Sequence, residues 1–88
     1  MLRISPQPGK EQTVTIKLEG KLLEPFVETV REACEKWQSR AERVRLDLAA
    51  VSYVDAAGVR LLRELMRAGI QIAACSGFVA ELLRHVEA

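Results

Sequence analysis

Within 88 residues the spacing of the apolar side chains switches repeatedly between every second residue and every third or fourth. That switching constrains the fold most. Alternation at period 2 fits a strand with one covered face, whereas recurrence at i, i+3, i+4 and i+7 fits an amphipathic helix. Leu2 and Ile4 alternate with Arg3 as in a short strand, and Val14, Ile16 and Leu18 share one face of a second strand over Thr13 to Glu19. Pro6 to Glu11 between them reads as a turn or loop, so the two strands are expected to pair as a hairpin, with Gly20 ending the second. From Pro25 to about Ser39, Phe26, Val30, Ala33, Cys34 and Trp37 recur at helical spacing. Pro25 suits a first helical turn because its missing N–H would be unpaired there. On the far side of that helix, Arg31 with Glu35 and Glu32 with Lys36 are expected as i,i+4 pairs on a solvated face.

Alternation returns at Val44, Leu46 and Leu48, and a nearly unbroken apolar run from Ala49 to Val54 follows, the pattern of a strand that becomes buried on both faces. Asp55 is placed to cap a helix over Ala56 to Arg67, with Val59, Leu62, Leu65 and Met66 inward and Leu61 beside them. Gly69 stops that helix as a left-handed residue would, Ile70 to Cys75 is a short strand, and Ser76 caps a last helix over Phe78 to Glu87. The order is β-β-α-β-α-β-α. It predicts an α/β domain over residues 1–88 with a mostly parallel sheet opened by an N-terminal hairpin.

Composition removes several function classes. Lys plus Arg (13) nearly balance Asp plus Glu (12), and neither half of the chain carries a surplus, so binding to nucleic acid through a concentrated positive face is not expected. No apolar run approaches the roughly 18 residues of a membrane span, and the start, Met1 to Pro6, lacks the apolar stretch of a secretory signal. The expectation is a cytoplasmic protein that does not insert into membranes. Cys34 and Cys75 show no Cys-x-x-Cys spacing, which leaves no disulfide framework, zinc site or other metal site to predict. His85, the only histidine, has no nucleophile context and reads as a surface helix residue that complements the negative helix end. Asp47 and Asp55 stand eight residues apart, about 26 Å along an extended chain, too far for a carboxylate pair. No catalytic residue and no cofactor is predicted. The glycines form neither GxGxxG nor a P-loop.

The informative segment is the strand-to-helix junction Ser52-Tyr53-Val54-Asp55-Ala56-Ala57-Gly58-Val59-Arg60. Two small residues and a glycine in a first helical turn leave backbone N–H groups accessible to an anion or to a partner surface, or else let the helix pack tightly on the sheet. With Leu46-Asp47-Leu48 before it and Leu61-Leu62 after it, the run resembles the signature of the STAS domain, a family found in bacterial anti-sigma factor antagonists and at the ends of sulfate transporters. The resemblance covers nearly the whole chain. It implies a switchable, non-enzymatic protein-binding module in bacterial signalling and transcription regulation.

In that family the second residue after the motif's aspartate is commonly a phosphorylated hydroxyl residue; here that position is Ala57, and its neighbour is Ala56. Neither can take a phosphate, and alanine does not mimic one, so the charge switch of the relatives is expected to be missing. The partner surface implied comprises Asp55, Ala56, Ala57, Gly58, Arg60 and Arg63, with Arg60, Arg63 and Arg67 forming a basic stripe that Glu64 partly neutralises and that fits an acidic partner surface. The expected partner is a kinase-type anti-sigma factor, or alternatively the ATPase of a phospholipid-type ABC transport complex in which this chain is a small subunit. A small anion or nucleotide held at Ala56-Ala57-Gly58 is a third reading. Ser52 and Ser76 are read first as a sheet neighbour and a cap. Family domains usually continue with another strand and helix, so the strand over Ile70 to Cys75 is expected to be an open edge available for a homodimer or a larger complex.

Overall fold

The computed structural model describes residues 1–41 and 43–86, with side chains described as far as Arg84. The elements are β1 (Leu2–Pro8), β2 (Thr13–Leu22), α1 (Glu24–Gln38), β3 (Arg43–Val54), α2 (Ala56–Arg67), β4 (Gln71–Cys75) and α3 (Gly77–Val86). Their order is the one the periodicities predict. The four strands lie in the order β1-β2-β3-β4, with β1 antiparallel to β2 and the other pairs parallel. Both parallel crossovers advance across the sheet in the same direction, and right-handed crossovers then put their helices on one face. Accordingly α1 packs against α2, and α2 against α3.

One core lies between that helical layer and the sheet. Ile16, Leu18 and Leu22 of β2, Leu46 and Leu48 of β3, Val30 of α1, Leu61 and Leu62 of α2 and Val79 of α3 are almost completely removed from solvent. Each such Leu or Ile contributes about 1.5–3 kcal/mol relative to remaining exposed, which is how a chain of this size holds its shape. Cys34 belongs to the same core, and burial pushes its thiol up to about 11. It is a small apolar side chain and not a reactive thiolate.

Several boundaries differ from the sequence reading for physical reasons. The apolar run Ala49 to Val54 is not buried on both faces: Ala49, Ala50 and Ser52 are exposed, because all three helices occupy the same side of the sheet, and Tyr53, beside the start of α3, is exposed as well. Register shifts against β2 give β3 an extra residue between Asp47 and Ala50 and another between Val51 and Tyr53. These bulges move the buried positions from Val44, Leu46 and Leu48 to Val51 and Val54. Asp47 settles into the first of them, its Oδ1 accepting from the Ala49 N–H at 3.0 Å. Gly20 does not end β2; the strand shifts register there, at a φ of 110°, and resumes to Leu22. Arg31 does not turn to Glu35. It reaches across to Glu64 of α2 at 2.8 Å and also pairs with Glu28, so the outer face of α1 is tied to its neighbour.

The two sheet edges are unlike. β1 runs on through Pro6 and Pro8, where the sequence suggested a loop. Lys21 donates to Met1 and Gly9 to Thr13, a phase in which even-numbered β1 residues direct their backbone groups away from β2. Both prolines therefore occupy edge positions where no N–H is needed, and they blunt that edge. At the other side β4 is paired to β3 alone among the described residues. The end of α2 is a Schellman turn: Gly69, at φ 95°, donates to Met66, and Ile70 donates to Leu65, with Leu65 and Ile70 both buried. Ile70 thus closes the helix and lies just ahead of β4. The side chain of His85, which the sequence places on the helix surface, lies outside the described residues.

Candidate functional site

The β3–α2 junction is built around Asp55. Its backbone is held by the Leu22 carbonyl at the end of β2, which accepts from the Asp55 N–H at 3.2 Å. From that position Oδ1 accepts from the Gly58 N–H at 2.8 Å, closing the first turn of α2, and Oδ2 accepts from the Glu24 N–H at 2.9 Å, closing the start of α1. One carboxylate caps two helices that begin 32 residues apart. Leu23 at the head of α1 contributes no side-chain cap, which makes the Asp55 contact that helix's own N-terminal satisfaction. The Gly58 amide, then the Glu24 amide, hold the Asp55 carboxyl below the usual carboxylate range, with help from the charge of Arg60.

Gly58 is buried, and a Cβ there would lie 2.6 Å from Val54 Cγ1 and 2.7 Å from the Leu22 carbonyl oxygen. Only a glycine lets the first turn of α2 close onto the ends of β2 and β3. Of the residues predicted to meet a partner, Gly58 is therefore packing beneath the surface and presents none itself. Ala56 and Arg60 are exposed, and Asp55, Ala57 and Arg63 are half-buried. The first turn of α2 separates two concavities. Ala57 lines a groove of about 420 Å3 between α1 and α2, together with Glu24, Val27, Arg31, Arg60 and Glu64. Ala56 lines a depression of about 370 Å3 on the α3 side, together with Tyr53, Val59, Arg60 and Leu82.

The basic stripe of α2 is less neutralised than its sequence implies. Glu64 is held by Arg31 through Nε at 2.8 Å and Nη2 at 3.0 Å, a two-pronged contact that lowers the Glu64 carboxyl's pKa. Among the described residues Arg60, Arg63 and Arg67 make no salt bridge. Ser52 hydrogen-bonds the Gly20 carbonyl at 3.3 Å, as a sheet neighbour does. Ser76 caps α3, accepting from the Val79 N–H at 3.3 Å and donating to the Val51 carbonyl at 3.3 Å. Two residues escaped the sequence reading: Tyr53, 47% exposed, stacks on Phe78, 45% exposed, with ring centroids 5.9 Å apart. The available signal was their placement, each two residues from a cap, in a chain only 5% aromatic.

The chemistry of the junction favours contact over capture of an anion. The Gly58 N–H that an anion would use is occupied by the chain's own carboxylate, so an approaching phosphate meets negative charge. No group of three or more His, Cys, Asp or Glu that could hold a metal is present among the described residues. No helix among them is long and apolar enough to cross a membrane.

The family described as "Mlab, STAS domain" matches residues 7–87. This chain belongs to the STAS family. Its fold is that of solved STAS proteins. The phosphorylated form of the Bacillus cell fate determinant SpoIIAA superposes with a TM-score of 0.74 at 22% identity, over 97% of this chain and 84% of that one. The anti-sigma factor antagonist SpoIIAA in its unphosphorylated form gives a TM-score of 0.60 at 25% identity, over 74% of this chain and 61% of that one. An antisigma-factor antagonist STAS domain from Rhodobacter sphaeroides gives 0.62 at 19% identity, over 88% and 87%. The chain thus spans less than two thirds of the unphosphorylated SpoIIAA structure and most of the other two. No curated protein sequence matches it.

Proposed function

We propose that this STAS domain is a non-catalytic module that binds a regulatory protein through the exposed start of α2, without the phosphorylation switch at the usual position. The observation that carries this reading is the Asp55 clamp. It fixes the first turn of α2 to the end of β2 and to α1, which leaves Ala56, Ala57 and Arg60 as a preformed surface beside two concavities. A SpoIIAA-like partner relationship supports a protein ligand, and a kinase-type anti-sigma factor in the cytoplasm is the first candidate. Ala57 stands where the resemblance puts the phosphate acceptor, so binding is constitutive with respect to that modification.

The test is affinity isolation with the chain as bait, in parallel with Ala57→Asp. A carboxylate added beside Glu24 and Glu64 places like charge in the α1–α2 groove and is expected to weaken capture by roughly tenfold. Equal capture by both forms removes the junction as the interface. A second reading is favoured by the Mlab description of the matched family: a small STAS subunit of a phospholipid-type ABC transport complex, with its ATPase as partner. The captured protein's class separates the two. In either setting the edge of β4, unpaired among the described residues, offers a place for a second copy or a neighbouring subunit to add a strand.

A further inference from the structure

We propose that the trough between α2 and α3 binds an acidic, amphipathic helix of the partner, with Tyr53 and Phe78 as the apolar anchors and Arg60 and Arg63 as the charged flank. The proposal rests on the reading of the α2 junction as a protein interface and moves its centre from the Ala57 side to the opposite flank of the helix. Large apolar side chains exposed on a small domain are informative when they stand together. Apart from Met1, Tyr53 and Phe78 are the large apolar residues most open to solvent among the described residues, and they are stacked on each other. The depression beside them has Val54, Val59 and Leu82 in its lining, an apolar floor between two helices. Such a floor suits the apolar face of a third helix.

Charge selects the occupant. Arg60 borders the depression, and Arg63 lies one turn beyond Val59 on the same side of α2. Neither makes a salt bridge among the described residues, because Glu64, the carboxylate between them and Arg67, is turned the other way and held by Arg31. Glu64 is thus withdrawn from the flank it would otherwise neutralise; Asp55, which also lines the depression, is occupied by the Gly58 and Glu24 amides and offset by the charge of Arg60, so an apolar floor edged by Arg60 and Arg63 selects an apolar segment carrying carboxylates. A cationic amphipathic helix meets the same floor and is repelled at its rim.

The test uses the full chain and two synthetic, fluorescently labelled amphipathic peptides of about four helical turns, one with Leu and Glu and the other with Leu and Lys, read by anisotropy. The Glu peptide is expected to bind roughly tenfold or more tightly than the Lys peptide, with binding that weakens as salt is raised. Tyr53→Ser and Phe78→Ser are each expected to weaken it by roughly tenfold, as loss of a central aromatic anchor does. Both rings are about half exposed, so the variants should keep the parent's circular dichroism and melting curve. Arg60→Glu, at an exposed position, is expected to reverse the peptide preference. Equal binding of the two peptides, no binding of the Glu peptide, or Ser variants that bind like the parent overturns the proposal. A chain that sediments as a dimer dissolved by Phe78→Ser assigns the patch to a second copy and overturns it as well. The broader interface reading fails separately. Capture abolished by Ala57→Asp while the Glu peptide does not bind keeps that reading and removes this one. Capture indifferent to Ala57→Asp with Tyr53-dependent peptide binding does the reverse.

Discussion

Three strands on this sheet run into helices across a single residue, and at two of these junctions, β3 into α2 and β4 into α3, that residue uses the same device to different depths. In each, a side-chain oxygen accepts from the amide three residues later, Asp55 from Gly58 at 2.8 Å and Ser76 from Val79 at 3.3 Å. Asp55 has a second oxygen and ties α1 with it, whereas the Ser76 hydroxyl donates to the Val51 carbonyl of the neighbouring strand. The first turn of α2 holds the buried Gly58 against β2 and β3; the first turn of α3 holds Gly77 in open space and Phe78 at the surface. Both junctions reach the core, one through Gly58 and the other through Val79, but the second leaves its aromatic residue outside. A tightly packed α2 start beside an α3 start that buries Val79 but leaves Phe78 at the surface is the arrangement a docking surface needs: one wall positions, the other supplies contact area.

The glycines give the largest break in the comparison. Gly58→Ala puts a Cβ 2.6 Å from Val54 Cγ1 and 2.7 Å from a backbone oxygen, and a backbone atom cannot swing aside as a flexible side chain can. Overpacking of that kind is expected to cost about 1–3 kcal/mol. For a domain of this size each kcal/mol corresponds to a melting temperature lower by roughly 4–8 °C. Gly77→Ala meets nothing within 4 Å and lies outside the left-handed region, so it should leave stability unchanged or raise it by about 0.4–1 kcal/mol. Urea denaturation of the pair checks both signs. If the two alanine variants are equally stable, α2 is no more firmly seated than α3.

That asymmetry was only partly legible in the sequence. Local signals carried well: the cap at Asp55, the cap at Ser76, the left-handed Gly69 and the order of all seven elements follow from neighbours within a turn or two of the chain. What required the third dimension was every contact between distant segments. Nothing near Leu23 announces that the amide of Glu24 is satisfied from β3, and nothing near Gly58 announces the Leu22 carbonyl beneath it. Arg31 had an ordinary i,i+4 partner in Glu35, yet the approach of α2 offered it Glu64 with two-pronged geometry. The apolar stretch Ala49 to Val54 misled for a related reason: small alanines at an open sheet face, and an aromatic left half exposed beside α3, score as hydrophobic without being covered. Two bulges then shifted the buried phase, and a bulge has no reliable signature in a single strand's alternation.

The caps sharpen the comparison at the next level. Ser76→Ala removes one modest bond at the start of one helix and is expected to cost about 0.5–1 kcal/mol. Asp55→Ala leaves the amides of both Gly58 and Glu24 without their acceptor, so its loss in urea stability should exceed that of Ser76→Ala. Hydrogen exchange distinguishes the mechanisms. In Asp55→Ala the Glu24 amide, 31 residues away, should lose protection together with that of Gly58, while in Ser76→Ala the change should stay within the first turn of α3. Unchanged exchange at Glu24 would show that α1 does not depend on the carboxylate.

The smallest effect is also the most specific, because only one of the two caps titrates. The Asp55 carboxyl is held below its ordinary range by the Gly58 amide first, then by the Glu24 amide, with the charge of Arg60 assisting. A group whose folded value is lowered adds stability that is complete above its unfolded value, about 3.9 for aspartate, and is lost as pH falls from there through the folded value. Glu64, lowered by Arg31, contributes acid sensitivity of the same sign from the α1–α2 contact. Asp55→Asn keeps an acceptor for Gly58 but cannot ionise, so stability plotted against pH should fall less steeply below about pH 4 than in the parent. In Ser76→Ala the curve should shift down without changing slope, since a hydroxyl carries no charge to lose in that range. A slope that is the same in Asp55→Asn and the parent would assign the acid sensitivity to the Arg31–Glu64 contact alone. The double cap would then act through its hydrogen bonds and not through its charge.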